Sequence, residues 1–171
     1  MHLSVVPLAA IFRLNTQLWL NCLAGLSDAQ ANDRHLGRVN TIAFLAAHLT
    51  ETRHYLATLV GSPRPSPFSP AFAKARSLDE AGPLPPLDEL TAYWEAISAH
   101  IAVAIERLDT AALSRAAAAL PGSDGTVLGD LAFLAQHESY HVGQMGLLRR
   151  ALGLPGMRYD LPPREPGRLG A

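Results

Sequence analysis

Four stretches of this chain set apolar residues at steps of three and four, and none alternates β-branched residues convincingly. Leu8, Ile11, Leu14, Leu18 and Cys22 form the first series, and Ile42, Leu45, Leu49, Thr52, Leu56 and Leu59 the second. Leu90, Trp94, Ile97, Ile101, Ile105 and Leu108 form the third, and Leu131, Leu134, Met145, Leu148 and Leu152 the fourth. That spacing follows the helical period and gives each segment one buried face. Strands are expected to be absent or trivial. Asn40 reads as the cap of the second helix and Gly61 as its stop. Pro85-Pro86, Asp88 and Glu89 open the third, while Thr126 caps the fourth and Gly153 ends it.

Four such helices predict an all-α fold, a four-helix bundle. The connections carry further information. Residues 61–86, GSPRPSPFSPAFAKARSLDEAGPLPP, hold too many prolines for a long helix, although PAFAKAR suits a turn or two. A connection of that length can run the length of the bundle and leave helices two and three parallel. Residues 109–125 are alanine-rich and end in the turn LPGSDG. Residues 154–171 read as an extended Pro/Gly/Arg-rich tail. One domain over residues 1–171 is the expectation.

Charge narrows the function classes. Lys and Arg number 14 against 15 Asp and Glu, for a net charge of −1. Nothing in that balance predicts a face for nucleic acid or an anionic membrane. Arg149 and Arg150 suit a helix C-terminus. Cys22 is the only cysteine, which fits a reducing compartment. The N-terminal stretch carries Arg13 and Asn15 inside its apolar run, and no segment holds 18 uninterrupted apolar residues. Neither a leader nor a membrane span is expected, and a cytoplasmic protein follows.

The histidines break the apolar pattern. His2, His35 and His100 occupy positions that need no special explanation. His137 and His141 are four apart in HESYH, in the series Leu134, His137, His141, Met145, Leu148. His48 stands similarly in Leu45, His48, Thr52, Tyr55, Leu59. Burying an imidazole without a partner costs about 1–3 kcal/mol. A divalent ion offsets that cost, because the neutral ring nitrogen suits zinc, nickel or iron. Hydrogen-bonded core histidines are the plainer alternative. His54, six residues after His48, lies about 120° round the helix and falls outside the cluster.

HESYH also matches the H-E-x-x-H of zinc proteases. That class needs a third ligand downstream. The sole Glu among the 30 residues after His141 is Glu165, in PPREPGR, which cannot be helical. The alternative extension fails because Gln144 and Leu147 stand where glycine and histidine are required. With no sheet to present a substrate, the protease reading is set aside, and His48 becomes the natural third ligand.

Taken together, AAHLTETRHYL around His48, the proline-rich crossover and TVLGDLAFLAQHESYHVGQMGLLRRALGL at 126–154 resemble the DinB-like, or YfiT-like, superfamily of metal-dependent hydrolases. The resemblance covers essentially the whole chain. It implies an up-down-down-up helix order and a divalent ion, zinc or nickel, on His48, His137 and His141. It also implies a homodimer and a small-molecule substrate, with thiol S-transferases using bacillithiol and mycothiol-dependent isomerases among the relatives. Val142 departs from the family, which often has a basic residue there, so a surface or ligand-supporting contact is expected to differ.

Three histidines leave a coordination position open, as catalytic sites do. An ion there lowers the pKa of bound water from about 15.7 to about 7, or activates a thiolate. Glu138 is the candidate general base. Glu51, Asp130, Glu138 and Gln144 are candidates to support the ligand rings, and Tyr55 and Tyr140 to line a pocket or fill core. Gly143 and Gly146 suggest close approach of another helix. A hydrolase or thiol transferase is the first reading, a non-catalytic metal- or ligand-binding bundle the second, and a metal-free helical interaction module the third.

Overall fold

The computed structural model describes residues 1–34, 36–37 and 39–159. Four long helices carry it: α1 (Val6–Leu23), α2 (Ile42–Leu59), α3 (Leu87–Glu106) and α4 (Val127–Ala151). No strand occurs among the described residues; Ala116 and Thr126 form one isolated bridge. Local chemistry sets the helix ends. Thr41, rather than Asn40, caps α2 by accepting from the Phe44 N–H, while Asn40 accepts from Leu78 in the crossover. Thr126 caps α4 through the Gly129 N–H at 3.1 Å. Gly61 and Gly153 follow α2 and α4 with φ of +76° and +77°, where a side chain would strain the backbone.

Each helix has two main neighbours, in the ring α1–α4–α2–α3. Asn15 bonds Ser139, and Arg149 reaches the carbonyls of Cys22 and Ala24, so α1 and α4 run parallel. Leu49 and Trp94 share one part of the core while Leu56 and Ile101 share the other, so α2 and α3 are also parallel. Leu45 clusters with Met145, Arg53 meets Glu138 and Leu56 clusters with Leu131, so positions on α4 step back as those on α2 advance and the two helices are antiparallel. The order is up-down-down-up, and the 61–86 crossover makes it possible. That crossover contains two short helical turns, Phe72–Lys74 and Leu78–Ala81, and packs Phe72 edge-on to Phe44. The alanine-rich stretch forms a short helix, Thr110–Ser114, and returns to α4 through Ala117 and Gly125.

A polar layer divides the core. Arg53 is 2% exposed and donates through Nε and Nη2 to both oxygens of Glu138, at 2.8 and 2.7 Å. It also donates to Thr16 Oγ1 and the Phe12 carbonyl of α1 and to Ser98 of α3. Its guanidinium lies 3.7 Å from the centre of the Trp94 ring, which stacks on Trp19. All four helices meet at this one side chain. Trp19, Leu49, Leu90 and Met145 pack on one side of the layer, and Phe12, Leu56, Ile101 and Leu131 on the other.

Several expectations need correction. The buried face of α1 runs Phe12, Asn15, Leu18, Trp19, Cys22, which keeps Leu18 and Cys22 of the expected series, whereas Ile11 and Leu14 are each 37% exposed. This helix is apolar on nearly every side, so polar groups needing partners, Asn15 above all, set its rotation. By length and composition Leu3–Leu23 could cross a membrane; here it packs against α3 and α4. Val142 lies in the core, not at a surface or ligand-supporting position. Gly146 makes room for Met157 of the following segment, not for a helix, and Gly143 has open space where a Cβ would stand. Arg149 donates to the Cys22 and Ala24 carbonyls at the end of α1 and to the Pro155 carbonyl beyond α4. His35 and residues 160–171, including Glu165, lie outside the described residues.

Arg53→Ala leaves the Glu138 carboxylate buried without its partner, and urea denaturation should show a loss of about 3–5 kcal/mol. The double variant Arg53→Met, Glu138→Leu should recover most of it, because no charge then stays buried. A single-variant loss below about 1 kcal/mol would contradict this role.

Candidate metal centre

His48 projects from mid-α2, and His137 and His141 from successive turns of α4. Antiparallel packing brings them level. The three Nε2 atoms converge: His137 to His141 at 3.1 Å and His48 to His137 at 3.4 Å. All three lie within 4.8 Å of one another, and they form a cluster able to hold a metal ion. Imidazole nitrogens bound at 2.0–2.1 Å in tetrahedral geometry stand about 3.3 Å apart, so the two short separations match that requirement. Ring contacts confirm the convergence, with centroids 4.5–5.3 Å apart and nearly perpendicular pairs involving His141.

The surroundings favour ligands that are neutral. Burial lowers the His48 pKa to about 4, and the neighbouring imidazoles add to the effect. His137 also falls to about 4, by burial first and then by His141. Burial lowers His141 too, opposed by its bond to Gln144. Near neutral pH each ring thus keeps a lone pair. Gln144 Oε1 accepts from His141 Nδ1 at 2.6 Å, which leaves Nε2 as the lone-pair nitrogen facing the other rings. Phe44 stacks on His48, and Phe133 lies against His137. Tyr140 touches the His141 ring and is 57% exposed; Tyr55 is 39% exposed, so neither fills the core.

The remaining candidates fall elsewhere. Glu138 adjoins His137 in sequence, about 100° round the helix, and both its oxygens are held by Arg53. This corrects the general-base expectation: a 1%-exposed carboxylate locked to a guanidinium has no free oxygen with which to take a proton at the cluster. Glu51 accepts from Ser66 and fastens the crossover. His54 bonds the Arg64 carbonyl and His100 that of Ser62, both in the crossover. His2 caps the first turn. Cys22 is a core residue whose thiol burial pushes up to about 12. Asp130 is fully buried; its Oδ1 accepts from the Leu120 N–H at 3.0 Å. Its Oδ2 and the Nδ1 of His137 are both buried and without hydrogen-bond partners. Arg53 was missed in the sequence, yet it had a signal: a charge at the fourth position after Leu49 and the third before Leu56.

Comparison with known proteins identifies the family and the fold. The sequence profile of the DinB superfamily matches residues 11–145. A crystal structure of a conserved protein from Enterococcus faecalis is similar over 90% of this chain and 99% of its own, with a TM-score of 0.73 at 15% identity. That likeness is one of fold. No curated protein matches the sequence.

The depressed histidine pKa values give a signed pH dependence. Unfolded imidazoles take up protons near pH 6.5, whereas His48 and His137 do so in the folded chain near pH 4. Metal-free protein should therefore keep this contribution above pH 6.5 and lose it as pH falls from 6.5 to 4. Urea unfolding in a chelator measures it. Replacing His48 and His137 with Asn should flatten the slope in that window; an unchanged slope would contradict the assignment.

Proposed function

We propose, from the premise that the chain belongs to the DinB superfamily, that it is a metal-dependent enzyme acting on a small molecule. Its site is a divalent ion, zinc or nickel, held by Nε2 of His48, His137 and His141. The convergence of those three nitrogens carries the proposal. A bound ion would supply the positive charge that makes water or a thiol sulfur nucleophilic near neutral pH.

The chain's own residues do the rest. Gln144 fixes the His141 ring and keeps its ligand nitrogen unprotonated. Phe44 and Phe133 flank the cluster with apolar surface, which strengthens electrostatic interactions there. Tyr140, beside His141 and exposed, is placed to touch an incoming substrate. Three protein ligands leave room for water or substrate, the arrangement of catalytic rather than closed structural sites. Hydrolysis and transfer of a low-molecular-weight thiol both use this set. The buried, unreactive Cys22 is compatible with a thiol supplied from outside in a cytoplasmic setting. A homodimer belongs to the same reading; exposed Tyr140, Gly143 and Leu147 along α4 offer it a surface.

Protein purified without a metal-affinity column should contain about one zinc or nickel ion per chain, and His48→Ala should lose it. Transfer of bacillithiol or a related thiol to an electrophile, or hydrolysis, should fall to background in that variant. Fewer than about 0.1 ion per chain with no rebinding would remove the metal reading, and equal rates in both proteins would remove catalysis at this site.

A further inference from the structure

An open cleft of about 480 Å³ lies between α2, α3 and the 61–86 crossover. His54, Arg64, Pro65, Pro67, Tyr93 and His100 line it, and none of the three cluster histidines does. Its volume is that of a small-molecule site. Among the described residues its wall carries one guanidinium and no carboxylate.

Arg64 is exposed and forms no ion pair with a described residue. An exposed arginine ordinarily keeps its rotamer freedom, but two histidines restrict this one. His54 Nδ1 donates to the Arg64 carbonyl at 3.2 Å, which ties the backbone to α2. Arg64 Nε donates to His100 Nδ1 at 3.3 Å, which ties the side chain to α3. Because His100 Nδ1 accepts, the ring proton is on Nε2, which donates to the Ser62 carbonyl at 2.7 Å. With Nε committed, the Arg64 Nη groups keep their N–H donors and have no acceptor among the described residues. That end of the fork fits the two oxygens of a carboxylate, and holding it in place beforehand lowers the cost of binding.

The rest of the wall selects the body of the ligand. The Tyr93 hydroxyl donates to Glu89 at 3.1 Å, so Tyr93 offers the cleft its ring surface, beside Pro65 and Pro67. The Glu89 carboxylate beyond that ring disfavours a second negative charge, and a phosphate ester carries nearly two. We propose that this cleft binds a small aromatic carboxylate, its oxygens on the Arg64 Nη groups and its ring against Tyr93 and the two prolines. The site is separate from the metal centre, since His54 stands about 120° round α2 from His48.

Benzoate is the probe, titrated into the full chain at neutral pH and followed by proton–nitrogen NMR. It should bind saturably with a Kd of about 1 mM or below, moving the backbone amides of Arg64, Tyr93 and His100. Benzamide keeps the ring and lacks the charge, and should bind at least about tenfold more weakly. Benzoate should lose as much on Arg64→Gln, whose melting temperature stays close to wild type, and nothing on His48→Ala. No saturation by about 10 mM benzoate, equal affinity for benzamide, equal affinity in Arg64→Gln or tighter binding of phenyl phosphate would each overturn the inference. Loss of binding in His48→Ala would place benzoate at the metal centre instead and overturn it too.

Discussion

A guanidinium and a carboxylate, both 2% exposed at the side chain, face each other between α2 and α4. Charges so far from water are tolerated only when paired and fully hydrogen-bonded. Arg53 meets that condition with Glu138, Thr16, Ser98 and the Phe12 carbonyl. Sliding α2 one turn along α4, about 5.4 Å, would strand both charges. Apolar contacts alone discriminate poorly between such registers, since leucine against leucine looks much the same one turn on. The ion pair admits one alignment.

The histidine cluster inherits that alignment. His48 precedes Arg53 by five residues and His137 precedes Glu138 by one. Because α2 and α4 are antiparallel, the step back from Arg53 to His48 runs towards the C-terminal end of α4. Fixing Arg53 against Glu138 therefore brings His48 to the turn that carries His141, with His137 one turn away. The same contact fixes rotation, with Glu138 turned inward and His137 and His141 half-buried at the margin between α2 and α4. Charge pairing inside and imidazole convergence at the rim are two consequences of one packing arrangement. The crossover then closes over the other side of α2, fastened at Glu51, His54 and His100.

Where one face of a helix was apolar and the other polar, periodicity located the core correctly. Leu90, Trp94, Ile97, Ile101 and Ile105 of α3 are all buried. Periodicity misplaced the face of α1, because Ile11 and Leu14 are as apolar as Phe12 and Trp19, and the rotation depends on Asn15 meeting Ser139. The site histidines were legible because imidazoles in leucine positions of two helices imply a common partner. Their depth was not: the inward heptad of α4 runs Leu131, Ala135, Glu138, Val142, Met145, placing the histidines one residue off the centre line. Glu138 looked catalytic because it follows His137, yet adjacent helix residues diverge, and its true partner is 85 residues away in the chain. Spacing within one helix cannot show a partner on another.

The account stands on three imidazole nitrogens sharing one ion. X-ray absorption at the metal edge of zinc- or nickel-loaded protein measures that directly. The predicted spectrum contains three imidazole nitrogens at about 2.0–2.1 Å, with the remaining coordination filled by light atoms, and replacing His48 reduces the imidazole count to two. A spectrum with fewer than three imidazoles in the wild type, or one that His48 substitution leaves unchanged, would contradict it.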